Sequence, residues 1–415
     1  MYYIIGSFGQ NKNKFLFFPL CQLWKNVDMT KKDLKKGKNI IIKDPERDAL
    51  VKELEKRNDI KAERIKKLLK LPDLTKKQNS PVKILFDQII NLPMFRDFDL
   101  VDFPRVVTVE QCFDLLNMPK DHPARRETDT YYLDDTNILR THTTAFWSFY
   151  LKDKEILEKL EKDGEIKALA PGIVFRKDEI DRSHYPAFHQ IDGLLICKKS
   201  KKIITQEDLK NVQVELAKGI FGPDIEWKFI PDEFPYTVES LEMNIKFNGE
   251  WMEVSGAGLV HPQCLKNFGL DPEVYNGWAF GFGDRLAMIK MGIKDIRVLW
   301  SDDPRITSQF KDINSKFKEV SKYPATSRDI SFVIDKNINL NNYYEIVRDL
   351  ADNLIEEVKL IDSYENEEKF GKDKKSYTFR IVYRSPERTL KSEEINKIQE
   401  EIREKTKQDL GAVLR

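Results

Sequence analysis

Between Pro171 and Ile196 the chain reads PGIVFRKDEIDRSHYPAFHQIDGLLI, a stretch that sets an aromatic ring, an amide, carboxylates and an arginine at strand spacing. Gly172–Arg176 and Phe188–Ile196 read as strands, and the 11 residues between them are too many and too charged for a tight turn. Alternation puts Phe188, Gln190 and Asp192 on one face, with His189 and Ile191 on the other. Such a row can hold a flat ring, a neutral polar group and a cation. Arg176 on the partner strand can neutralise a phosphate, since its planar fork matches phosphate oxygens. A salt-bridged sheet surface uses the same residue types, so the row alone fixes no function.

Two later stretches add phosphate and metal chemistry. LEMNIKFNGEWMEVSGAGLVHP, from Leu241 to Pro262, carries Asn248-Gly249 between alternating runs, a strong hairpin signal. Trp251, Glu253 and Ser255 then share a face, and Glu253 can bridge Mg²⁺ to ATP oxygens, because hard cations prefer carboxylates. In GWAFGFGDRLAMIKMG, Gly277 to Gly292, Gly281 and Gly283 lead into an amphipathic helix with Arg285 in its first turn, placed to meet a phosphate tail. All five histidines (His122, His142, His184, His189, His261) fall in the middle of the chain. His122 and His261 precede prolines and read as structural. A zinc hydrolase built on His184, His189 and Asp192 fails, because His189 faces away from Asp192 and no HExxH helix exists.

The elements that must position these groups follow from patterning. The 415 residues allow two or three domains, and 40% hydrophobic content supports a sizeable core. Lys+Arg 70 against Asp+Glu 69 excludes a uniformly basic nucleic-acid coat, but residues 1–79 hold 20 basic against 10 acidic side chains, which suits contact with a polyanion. No apolar run reaches the roughly 18 residues of a membrane span. Four cysteines with no CxxC spacing suit a reducing intracellular compartment. Residues 1–43 read as an extension, either a presequence or sequence ahead of a start at Met29. Residues 44–79 form basic helices opened by Asp44-Pro45 and broken at Asn58-Asp59. Residues 80–305 mix helix and strand, residues 306–322 link, and residues 323–415 run strand, helix (Asn341–Ile355), strand, strand, helix. That last order predicts a small α+β sandwich. In it Arg380 and Arg384 share a strand face and Arg388 follows at a turn, a candidate phosphate-binding set.

Arg176, Asp178, the loop, His184 and Phe188 together resemble motif 2 of class II aminoacyl-tRNA synthetases, and GFGDR resembles motif 3. FDLLNMPKDHPARRETDTYYL (Phe113–Leu133), LRTHTTAFW (Leu139–Trp147), FHQIDG (Phe188–Gly193) and GWAFGFG (Gly277–Gly283) narrow the resemblance to the phenylalanine–tRNA ligase family in its single-chain, mitochondrial-type form. The tail strings KYPATSRDISFVI and YRSPERTL resemble its ferredoxin-like anticodon-binding domain. The resemblance implies an α+β class II antiparallel sheet flanked by helices, plus that small sandwich. It implies activation of L-phenylalanine by ATP with Mg²⁺, then transfer to tRNA(Phe), by a monomer needing no partner subunit and no membrane. The cytoplasm is the expected compartment, with the mitochondrial matrix as the alternative. The other reading kept open is a catalytically silent synthetase-like tRNA-binding protein.

By the same resemblance Arg176, His184 and Arg285 are catalytic, and Arg176, Asp178, Ser183, His184, Tyr185, Phe188, Glu253 and Arg285 bind ATP. Phenylalanine falls to His142, Thr144, Ala145, Phe146, Trp147, Gln190, Ile191, Asp192, Phe234, Tyr236, Ala279 and Phe280. Glu253 is the metal ligand, and Arg380, Arg384 and Arg388 meet tRNA. Three departures stand out: Asp192 replaces Glu, Tyr236 replaces Phe, and motif 3 is one residue short before Asp284-Arg285. The Tyr236 hydroxyl is expected to weaken discrimination against tyrosine. Removing the tail is expected to abolish tRNA charging but spare pyrophosphate exchange.

Overall fold

The computed structural model describes residues 37–320, 323–385 and 388–415, so most of the expected extension lies outside the described residues. Capping sets the first helices. The Asp44 side chain accepts from the Arg47 backbone N–H at 3.2 Å ahead of helix Pro45–Glu55, and Asp59 accepts from Ala62 at 3.0 Å ahead of Ile60–Lys70. Their apolar stripe (Leu54, Ala62, Ile65, Leu68) packs on Phe175 and Ala187, the strand ends that flank the motif 2 loop.

In chain order the strands are β1 (Asn39–Ile41), β2 (Asp99–Asp102), a separate ribbon of β3 (Val106–Thr108) and β4 (Asn137–Leu139), then β5 (Glu165–Phe175) and β6 (Ala187–Lys198). They continue with β7 (Glu226–Pro231), β8 (Thr237–Phe247), β9 (Glu250–Val260) and β10 (Tyr275–Gly283). The large sheet runs β1-β2-β5-β6-β10-β9-β8-β7. The β1–β2 and β2–β5 pairs are parallel and the rest antiparallel. Asn248 and Gly249 take φ of 53° and 88°, the left-handed backbone that the β8–β9 turn needs.

Register then decides what the sheet can hold. Gln190 pairs with Gly172 on one side and Gly283 on the other, and Asp192 pairs with Ala170 and Gly281. Gly281 in turn pairs with Gly256. These small partners clear a space above the two polar residues: a Cβ on Gly281 would lie 2.5 Å from Asp192 Oδ1, and one on Gly256 2.7 Å from the Phe234 ring. The opposite face carries Ile191, Trp278, Phe280 and Phe282 under helices Pro81–Ile90, Gln206–Phe221 and Arg285–Met291. One face is thus core, and the other is left for chemistry.

The C-terminal module is an antiparallel sheet of β11 (Thr326–Asp335), β12 (Ile355–Tyr364), β13 (Lys374–Tyr383) and β14 (Val413–Leu414), ordered β12-β13-β11-β14. Phe332, Phe379 and Ile381 from the sheet pack with Tyr343, Val347, Ile395 and Ile402 from the helices Asn341–Ala351 and Ser392–Leu410. The first helix stops at Ala351, short of the expected Ile355, because Ile355 already opens β12. Ile180 of the motif 2 loop is buried in this module's core. No helix among the described residues is long and apolar enough to cross a membrane.

Candidate active site

A cavity of about 700 Å³ opens on the sheet face away from the helices. It gathers Arg176, Asp178, Ser183, His184, Tyr185, Phe188, Gln190, Asp192, Glu253 and Arg285, together with His142, Thr144, Trp147, Phe234, Tyr236 and Ala279. Residues far apart in sequence, from His142 to Arg285, therefore share one space.

The phosphate end is built around Arg176. Its Nε donates to the Thr141 carbonyl at 2.9 Å and its guanidinium lies over the Phe188 ring at 5.1 Å, which orients the fork. Its remaining donors take no hydrogen-bond partner among the described residues. His184 is set by Asp181, whose carboxylate accepts from the Ser183 and His184 backbone N–H groups at 2.6 and 2.8 Å and meets His184 Nδ1 at 2.8 Å. Tyr185 stacks on Trp300 at 5.1 Å. Across the cavity, the Glu253 carboxyl is pushed above its ordinary value by burial and then by the neighbouring Glu242 charge, against the pull of Arg285. A second carboxylate close enough to act on Glu253 suits a divalent cation there.

Arg285 reaches the wall because of a buried clamp. His189, fully buried on the far face, donates its backbone N–H to Asp284 Oδ2 at 2.8 Å, and its Nδ1 lies 3.1 Å from the same oxygen. The Asp284 N–H returns a bond to the His189 carbonyl at 2.9 Å, and Nε2 accepts from Leu74 N–H at 3.0 Å. Helix Arg285–Met291 thus starts directly after β10, with Arg285 at the cavity wall.

The other end suits an aromatic amino acid. Asp192 is buried, accepts from the Thr144 hydroxyl, and burial pushes its carboxyl up to about 6 against the Thr144 and Thr143 hydrogen bonds and the Arg176 charge. Gln190 Oε1 accepts from Thr143 N–H at 3.3 Å. Phe234 and Tyr236 stack at 5.9 Å, Trp147 meets Tyr236 edge-on at 6.1 Å, and His142 stacks on it at 6.4 Å. Burial, then the Arg176 charge, lowers the His142 pKa to about 3, so this ring is neutral. Burial, followed by the Asp192 charge, raises the pKa of the Tyr236 hydroxyl.

Several expected contacts lie elsewhere. Ala145, Phe146 and Ile191 are fully buried in the cores and do not line the cavity. Ile191 is excluded by alternation between Gln190 and Asp192, and Ala145 and Phe146 turn inward on a 3₁₀ turn. Phe280 does border the cavity beside Ala279, while its ring stacks between Trp278 (5.5 Å) and Phe282 (5.8 Å). In the tail, Arg380 forks onto Asp329 at 2.8 and 2.7 Å and Arg388 onto Glu394 at 2.8 and 2.5 Å, both exposed. Arg384 instead meets the buried Glu356 at 2.5 Å, a carboxylate shared with Arg182, and so faces the junction with the motif 2 loop and not a free RNA-binding surface. Sequence reading missed Thr141, Asp181 and Asp284. Only Asp181, three residues before His184, left a local signal.

The geometry defines a class II synthetase site, and the family model for the tRNA synthetases class II core domain (F) matches residues 65–310. The ferredoxin-fold anticodon binding domain matches residues 321–415. The chain is 40% identical over 325 residues to the chloroplastic/mitochondrial phenylalanine–tRNA ligase of Arabidopsis thaliana, covering 76% of this chain and 72% of the relative. It is 37% identical over 357 residues to the mitochondrial enzyme of Mus musculus (77% and 75%) and 40% identical over 273 residues to the alpha subunit of the Clostridium perfringens enzyme (63% and 77%). The chain belongs to the phenylalanine–tRNA ligase family of class II aminoacyl-tRNA synthetases.

Proposed function

We propose that this cavity carries out both steps of phenylalanine–tRNA ligation, with Arg176 at the α-phosphate and Asp192 at the substrate ammonium. The reaction activates L-phenylalanine with ATP and passes the phenylalanyl group to tRNA(Phe). The observation that carries the residue assignment is the single cavity holding an arginine fork at one end and a buried carboxylate, walled by Phe234, Tyr236 and Trp147, at the other. Phenylalanine's carboxylate is ionised at neutral pH and needs no base. As it attacks, charge grows on the pentavalent phosphorus, where Arg176, oriented by Thr141, stabilises it. His184 and Arg285 neutralise the departing diphosphate, and Gln190 and Thr144 orient the amino acid.

Glu253, with Glu242 beside it, would hold Mg²⁺, which when bound screens the ATP oxygens. Exposed Arg380 and Arg388 can exchange their acidic partners for tRNA phosphates. The mitochondrial relatives carry no subunit designation, which supports a monomer; sedimentation of the purified protein tests it. The relatives' organellar names support the mitochondrial matrix over the cytoplasm, and fractionation of cells tests that. The function itself is tested with purified protein. Phenylalanine-dependent ATP–pyrophosphate exchange and charging of tRNA(Phe) are expected, and a folded chain that does neither refutes the proposal.

A further inference from the structure

The cavity's loop is held from outside the catalytic body. Carbonyls of four successive residues are engaged by the C-terminal module: Lys177 by Asn341 Nδ2 at 3.5 Å, Asp178 and Glu179 by Arg348 (2.9 Å to Glu179), and Ile180 by the Val358 N–H at 2.8 Å. Ile180 itself is buried beside Tyr343, Tyr344 and Val347, and Arg182 pairs with the buried Glu356 of β12. Arg348 is anchored by Glu345 at 2.6 Å, a buried carboxylate that also takes the Tyr131 hydroxyl at 3.0 Å. Within the loop, Asp181 lies between these anchored residues and the turn it fixes, Ser183-His184.

From this geometry we infer that the C-terminal module, through Arg348 and the docked Ile180, is a positioning element for the ATP-binding loop and sets its affinity for ATP before any tRNA is bound. Loops of this length sample many conformations unless tied down. With residues 177–182 pinned, Ser183 and His184 are presented to the cavity in one arrangement, so ordering costs little when ATP arrives. The phenylalanine end, built on β6, β10 and the turn at His142–Trp147, has no such tie to the module among the described residues.

The inference rests on the reading of Ser183 and His184 as ATP contacts, so its test includes a control for that reading. Pyrophosphate exchange without tRNA is measured for the full-length wild type, Arg348→Ala, Arg348→Lys and His184→Ala, with thermal unfolding of each. Arg348→Ala is expected to raise KM for ATP about five- to tenfold, with KM for phenylalanine within about twofold. Arg348→Lys, which keeps a charged donor, is expected to recover part of the loss. If His184→Ala raises KM for ATP while Arg348→Ala does not, or if Arg348→Ala raises both KM values together, the positioning role is overturned. If His184→Ala leaves KM for ATP unchanged, the loop assignment itself fails.

Discussion

Asp192 makes the binding of phenylalanine depend on pH in a calculable way. Its carboxyl is raised to about 6 because burial disfavours the charge more than Thr144, Thr143 and Arg176 favour it. Only the ionised form attracts the substrate ammonium. With a pKa of about 6, roughly nine-tenths of the free enzyme is competent at pH 7, half at pH 6 and about a tenth at pH 5. Phenylalanine's own groups do not titrate in that range, so kcat/KM for phenylalanine should fall about tenfold from pH 7 to pH 5. That is about 1.4 kcal/mol of lost binding. The assay is pyrophosphate exchange at saturating ATP from pH 5 to 8. Asp192→Asn should bind phenylalanine weakly at every pH and show no inflection near 6. A wild-type profile flat down to pH 5, or an inflection that survives in Asp192→Asn, would refute the assignment of the carboxylate.

Other expectations follow from the same geometry. Arg176→Ala should lower exchange by about 10²–10³ with folding intact, and near-normal exchange in a folded mutant would remove Arg176 from the phosphate site. Tyr236→Phe should raise the phenylalanine-to-tyrosine ratio of kcat/KM, and an unchanged ratio would show the hydroxyl facing away from the para position. His189→Leu should cost about 3 kcal/mol of stability in urea unfolding, because Asp284 would be left buried without its imidazole partner and the Leu74 N–H unmatched. Removing the chain after residue 322 strips Ile180 of its cover, so exchange should fall along with tRNA charging instead of being spared.

Local rules made much of this molecule legible. Aspartates at 44 and 59 mark the first helices, Asn248-Gly249 marks a hairpin, and alternation places Phe188, Gln190 and Asp192 in one row. The same alternation excludes Ile191, which was carried over with its neighbours against it. What the sequence hid is long-range. The His189–Asp284 clamp joins residues 95 positions apart, and Glu356 reaches Arg182 across 174. Neither pairing leaves a periodicity or spacing to read. The docking of Ile180 is hidden for the same reason: an isolated isoleucine in a charged loop has no partner in its own segment.

A crystal structure of the chain with a non-hydrolysable phenylalanyl-adenylate analogue tests the central claim most directly. The ammonium is expected within hydrogen-bond distance of Asp192 and Thr144, the ring between Phe234, Tyr236 and Ala279, and the α-phosphate mimic on the Arg176 fork. An analogue bound with its ammonium away from Asp192, or with Arg176 still turned from the phosphate position, would contradict it.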